Sequence, residues 1–64
     1  MKVWIQSDQG KYYLSHEPHL GLEYLTKEKQ YATNYSRMLT LDEVYSHIKY
    51  GFSGITPLVI GSEE

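Results

Sequence analysis

The residues best equipped for chemistry are histidines, and two of the three stand close together: His16 and His19, with Glu17 between them. Two imidazoles three positions apart can share a divalent cation when a third donor, such as His47 or Glu23, arrives from elsewhere in the fold. Pro18 opposes a helix through this stretch. The spacing is not the His-Glu-x-x-His pattern that sets two imidazoles on one helical face. Donor types without geometry are a weak sign of a metal centre, so the expectation is an ordinary polar loop and no metal. Asp42, Ser46 and His47 supply the residue types of a hydrolytic triad. There is no Gly-x-Ser-x-Gly elbow to present the serine and no glycine-rich loop to cradle a phosphate. No constellation joins a nucleophile, a base and an orienting group. The chain reads as non-enzymatic, with no catalytic residues and no cofactor.

Aromatic residues are the compositional oddity: seven tyrosines, one tryptophan and one phenylalanine in 64 residues. Tyrosine joins an apolar ring to a polar tip and is enriched at interfaces. It also favours strands, so covering a small sheet accounts for many of these rings without any partner. Lys11-Tyr12-Tyr13 and Lys29-Gln30-Tyr31 interleave positive charge with aromatics, the combination that single-stranded nucleic acid requires. Against this, eight acidic residues outnumber six basic ones for a net charge of -2, which is not the usual basic footprint of nucleic-acid binding. Single-stranded nucleic acid is therefore the alternative reading.

Sixty-four residues make one domain, residues 1–64. A chain this short buries only about 60% of the surface it exposes when unfolded, leaving little room for a deep cleft beside a core. Cysteine is absent, which excludes a disulfide framework and a thiolate zinc site. No apolar run follows Met1-Lys2, so no signal peptide is expected. Nothing approaches the roughly 20 apolar residues of a membrane span. A cytoplasmic location is compatible with all of this.

The element most plainly written is a helix over residues 39–51. Thr40 is placed as N-cap, and Glu43 three residues on completes a capping box. Leu39 before the cap and Val44 are placed for a hydrophobic staple. Asp42 and Glu43 suit the positive end of the helix dipole, and Gly51 suits a left-handed terminus. Leu41, Val44, Tyr45 and Ile48 share one face at helical spacing. About three turns do not persist alone in water, so this face must lie on a sheet. Residues 2–6 and 11–15 predict two strands joined at Ser7-Asp8-Gln9-Gly10, with Asp and Gly placed for a type I turn and a bulge. His16 to Gly21 predicts a loop and Leu22–Thr26 a third strand, with a polar turn after it. Tyr31–Ser36 reads as a short strand or an extended run. Residues 55–60 predict the last strand, with Pro57 at its start or on an outward edge position, and residues 61–64 a frayed tail.

The order is β-β-β-α-β: an α+β fold, a small, mainly antiparallel sheet of three to four strands with one helix packed on one face. Val3, Ile5, Leu14, Leu41, Val44, Ile48, Leu58 and Ile60 are the expected core.

Gly10-Lys11-Tyr12-Tyr13-Leu14-Ser15, Leu25-Thr26, Ala32-Thr33-Asn34-Tyr35-Ser36 and Thr40-Leu41-Asp42-Glu43-Val44 together carry a resemblance. The pattern resembles small uncharacterised proteins carried by phages and prophages. In those a hairpin ending in Tyr-Leu-Ser precedes an Ala-x-x-aromatic segment and a capped Thr-x-x-Glu helix. Val44 stands where alanine is more usual, and residues 17–21 have no counterpart. The resemblance implies a fold and a phage origin, and it transfers no active site.

Trp4 and Tyr13 alternate against Val3, Ile5, Tyr12 and Leu14, which places them on the sheet face away from the helix. An exposed aromatic patch on a soluble domain marks a contact surface. Trp4 and Tyr13 are thus the candidate partner-binding residues of a protein-interaction module. The partner is another protein or a second copy of the chain. A phage origin makes it a modulator or inhibitor of a host protein.

Overall fold

A computed structural model describes residues 1–17, 19, 22–47, 55 and 57–64. Among them, the chain forms β1 (Lys2–Ser7), β2 (Gly10–Glu17), β3 (Leu22–Thr26), a 3-10 turn (Lys29–Tyr31), α1 (Leu41–His47) and β4 (Pro57–Glu63). The strands make one antiparallel sheet in the order β3-β2-β1-β4. The α+β architecture and the β-β-β-α-β order are as the sequence predicts.

β1 and β2 pair residue for residue from Ser7 opposite Gly10 to Trp4 opposite Tyr13, with no bulge in this hairpin. Gly10 has φ +117, a conformation that side-chain-bearing residues rarely adopt. Ser7 braces the turn: its hydroxyl donates to the Gly10 carbonyl at 2.8 Å and accepts from the Gln9 N–H at 3.1 Å. β2 runs two residues further than the alternation suggests. His16 and Glu17 lie in the ladder opposite Glu23 and Leu22 rather than in a loop.

The last strand differs most from expectation. It begins at Pro57 and continues through Gly61, Ser62 and Glu63, which pair with Trp4, Val3 and Lys2 instead of fraying. Gln6 faces Val59 while Ser7 faces Pro57, so Leu58 is the extra residue of a β-bulge. A bulged residue is turned out of the ladder. Leu58 is accordingly 63% exposed and not part of the core.

The core comprises Val3, Ile5, Leu14, Leu39 and Val44, with Met1, Tyr12, Leu25, Tyr35 and Ile60 packed around it. Leu41 is only half-buried. Ile48 and Gly51, expected at the end of the helix, lie outside the described residues.

The start of α1 follows the sequence closely. The Glu43 N–H donates to the Thr40 hydroxyl and the Thr40 N–H to the Glu43 carboxylate, both at 3.1 Å. Leu39 and Val44, the two ends of the staple, are both buried.

Residues 31–36 form no strand. Their one ladder contact is a bridge from Asn34 to Lys2. The Thr33 N–H donates to the Leu14 carbonyl at 3.0 Å, and Met1 and Tyr35 exchange two main-chain bonds of 2.7 Å each. The 3-10 turn is tied to the outer face, where Ser15 donates to the Tyr31 carbonyl and Lys2 to the Lys29 carbonyl. α1 packs on the inner face. The connection therefore carries the chain from one face to the other past the start of β1.

Candidate interaction surface

Residues opposite one another in an antiparallel ladder share a face. Thr26, Tyr13, Trp4 and Gly61 form one row across all four strands, on the face away from α1. Lys11, Gln6 and Val59 form the next row by the same registers. This outer face is the predicted interaction surface.

Trp4 is half-buried on this face. Its ring lies over Gly61, where an added Cβ would run into the indole. The Lys11 ammonium sits over the ring, 4.7 Å from its centroid. Such a cation–ring contact contributes about 0.5–1 kcal/mol at an exposed site. The indole is held on two sides and keeps part of its surface in water. Val59, in the neighbouring row, is 53% exposed. Together they form a small apolar step along the β4 side of the face.

Tyr13 behaves differently from the expectation that its ring is left in water: it is only 8% exposed. Its hydroxyl donates to the Glu63 carboxylate, and the Lys11 ammonium lies 5.2 Å from its ring centroid. A buried tyrosine needs a partner for its hydroxyl, and β4 supplies it. Tyr13 is thus a support of the surface, with half-buried Trp4 and exposed Val59 as its apolar members.

Glu63 is the electrostatic centre of the face. Besides Tyr13 it meets Lys11 and Lys29, each at 3.6 Å. The Tyr13 hydroxyl, and then the two lysines, hold its carboxyl below the usual carboxylate range. The carboxylate thereby answers Lys11, the lysine over both rings, and Lys29 of the 3-10 turn.

The histidines fall elsewhere. His16 Nδ1 lies 3.3 Å from a Glu23 carboxylate oxygen across the β2–β3 ladder. The His19 N–H donates to Glu17 at 3.1 Å. Among the described residues no three of His, Asp or Glu converge as a metal site. Glu23 also borders a cavity of about 150 Å³ with Leu14, Tyr35 and Leu39. Burial, and then the Glu23 charge, push the Tyr35 phenol up from its usual value.

The sequence reading misses the roles of Gly61 and Glu63, which it places in a frayed tail, and of Val59, which it places in the last strand without a part in the surface. The one available signal was the alternation of Val59, Gly61 and Glu63 on a common face.

Comparison with protein-family models, curated proteins and solved structures finds no match. Among the described residues no helix is long and apolar enough to cross a membrane.

Proposed function

We propose that this chain is a non-enzymatic protein-binding module that engages its partner through the outer face of the sheet, with Trp4 as the anchor. The observation that carries this reading is the indole fixed over Gly61, half-buried and keeping part of its surface in water, beside exposed Val59. An aromatic side chain that is already immobilised loses little rotamer freedom on binding, which favours affinity. When such a ring enters a desolvated interface centre, its truncation typically costs about 2 kcal/mol or more. The resemblance of the hairpin and capped helix to phage and prophage proteins makes a bacterial host protein the natural partner, modulated or inhibited by the contact, in the cytoplasm.

The test is a pull-down from host lysate with the parent chain, Trp4→Ala and Tyr13→Phe, beside a denaturation curve for each. The expected result is loss of a specific partner in Trp4→Ala with a cooperative unfolding transition retained. Tyr13→Phe, which removes only the Glu63 bond, keeps the partner. Full retention of every partner by Trp4→Ala overturns the reading.

One feature favours single-stranded nucleic acid as the second reading: Lys11 over Trp4, and Lys27 over Tyr12 at 5.2 Å, set cations against rings. The Glu63 carboxylate between Lys11 and Lys29 opposes a phosphate there. A salt-sensitive gel shift with an oligonucleotide, lost in Trp4→Ala, decides for this alternative.

A further inference from the structure

We infer that the cavity between the β2–β3 ladder, Tyr35 and Leu39 is a binding site for a small organic amine, with the apolar body of the ligand against the two leucines and its ammonium on Glu23. The site lies with the core and not on the outer face, so the inference goes beyond the protein-binding reading and does not rest on Trp4.

Leu14 and His16 stand two positions apart in β2 and share a face of the sheet. Opposite them in β3 stand Leu25 and Glu23. The ladder thus sets a carboxylate beside an apolar patch. Leu14, Glu23, Tyr35 and Leu39 border a cavity of about 150 Å³. Leu14 and Leu39 are buried and form its apolar wall, whereas the Glu23 side chain keeps part of its surface in water. An apolar cavity of about this size accepts a benzene ring, which sets the size of the ligand's body. The walls are in place before a ligand arrives. The two main-chain bonds of 2.7 Å to Met1 pin Tyr35, and His16 Nδ1 lies 3.3 Å from one Glu23 oxygen and orients that carboxylate. A preformed site of this kind lowers the ordering cost of binding.

Charge selects the head of the ligand. Glu23 is the one charged residue among the described residues of the lining. Its field is felt inside the cavity: burial, and then the Glu23 charge, push the Tyr35 phenol up and keep it protonated. An anion would meet this carboxylate with no counter-charge beside it. A neutral apolar molecule would fill the space but strip water from the carboxylate with nothing in return, and an uncompensated polar group is costly. An ammonium replaces that water with three N–H donors, which the Glu23 carboxylate and the Tyr35 hydroxyl oxygen can accept. A monoamine with a ring-sized apolar body therefore answers both parts of the lining.

The experiment is a titration of the isotope-labelled full chain with benzylamine, followed by amide chemical shifts, with benzyl alcohol and benzoate as the neutral and anionic counterparts and Glu23→Gln alongside. Benzylamine should give saturable shifts centred on Leu14, Glu23, Tyr35 and Leu39, leaving the Trp4 amide unmoved. It should bind about threefold or more tightly than benzyl alcohol, a modest factor because Glu23 is partly exposed and its ion pairs are screened. Benzoate should not bind. Glu23→Gln should bind benzylamine no better than benzyl alcohol, while its affinity for benzyl alcohol stays close to the parent's. Absence of saturable shifts with benzylamine, or shifts centred on the outer face, overturns the inference. Equal affinity of the parent for benzylamine and benzyl alcohol overturns it too, as does a Glu23→Gln chain that binds benzylamine as the parent does. Should Glu23→Gln fail to fold, the ranking of the three probes on the parent decides, and any order other than amine first and benzoate last overturns the inference. Loss of the protein partner in Trp4→Ala tests the outer face separately, so either reading can fail without the other.

Discussion

Gly61 faces Trp4 across the β1–β4 ladder, and its missing side chain is what lets the indole lie against the strand. Gly61→Ala should therefore displace the ring. Overpacking of this kind costs about 1–3 kcal/mol, read as a lower denaturant midpoint together with a shift in tryptophan emission. An unchanged midpoint with unchanged emission would mean that the ring is not held there. Glu43 supports a second residue-level prediction. The Arg37 guanidinium bonded to it, then the Thr40 N–H, lower its carboxyl from 4.5 to about 2. A carboxyl depressed in the folded state stabilises the fold above its ordinary value, and that contribution is lost as pH falls from about 4.5 toward 2. Glu43→Gln keeps a hydrogen-bonding cap but removes the charge. Its acid-unfolding curve should be flatter than the parent's over this window, with the difference shrinking in high salt, because the pair is exposed. Parallel acid limbs would count against the Arg37–Glu43 pair. Neither this pair nor the burial of Tyr13 was legible in the sequence. The Tyr13 hydroxyl finds its partner 50 positions away, and alternation reports only which face a residue is on, not what covers that face.

At the scale of elements, legibility followed the range of the interactions that define each one. The start of α1 is specified within a few residues, and the capping box forms as the Thr40 and Glu43 spacing requires. Thr40→Ala should cost about 1 kcal/mol, measured as a lower midpoint with an otherwise intact transition. No change would remove Thr40 from the cap. The hairpin was also legible, through Gly10 and the alternation on either side of it. The end of β4 was not. Gly61, Ser62 and Glu63 have poor intrinsic strand preference, and they are extended because β1 offers them a ladder. Tertiary pairing overrides propensity at such positions. The same limit hid the bulge, since alternation through Leu58 assumes an unbroken register. The 3-10 turn depends on another distant contact, from the Ser15 hydroxyl to the Tyr31 carbonyl. Ser15 is only 2% exposed. Ser15→Ala should loosen the turn, at about 1 kcal/mol for a lost hydrogen bond, and speed exchange of the Ala32 amide, which bonds Lys29 at 3.0 Å.

Across the whole molecule, the last strand closes on the first, so the sheet is complete only when both ends of the chain are in place. Pairings this distant in sequence carry a loop-closure entropy that local elements do not. β4 contributes more than a ladder. Through Glu63 it reaches Tyr13 and Lys11 on β2 and Lys29 in the 3-10 turn, so a single carboxylate joins three parts of the chain. Two variants separate these contributions. Glu63→Gln leaves the main-chain pairing with Lys2 intact but removes the charge that both lysines face. Exposed ion pairs are weak, so this variant should stay folded, with a modest loss of stability that high salt reduces in the comparison with the parent. Removing residues 61–64 takes away the strand partners of Trp4, Val3 and Lys2 as well. In so small a domain, where the margin between folded and unfolded states is only a few kcal/mol, that chain should lose its cooperative transition. Circular dichroism during denaturation distinguishes the outcomes. A truncated chain that unfolds as cooperatively as the parent would show that β4 is dispensable, and the closure of the sheet by its two terminal strands would then not be what holds the fold.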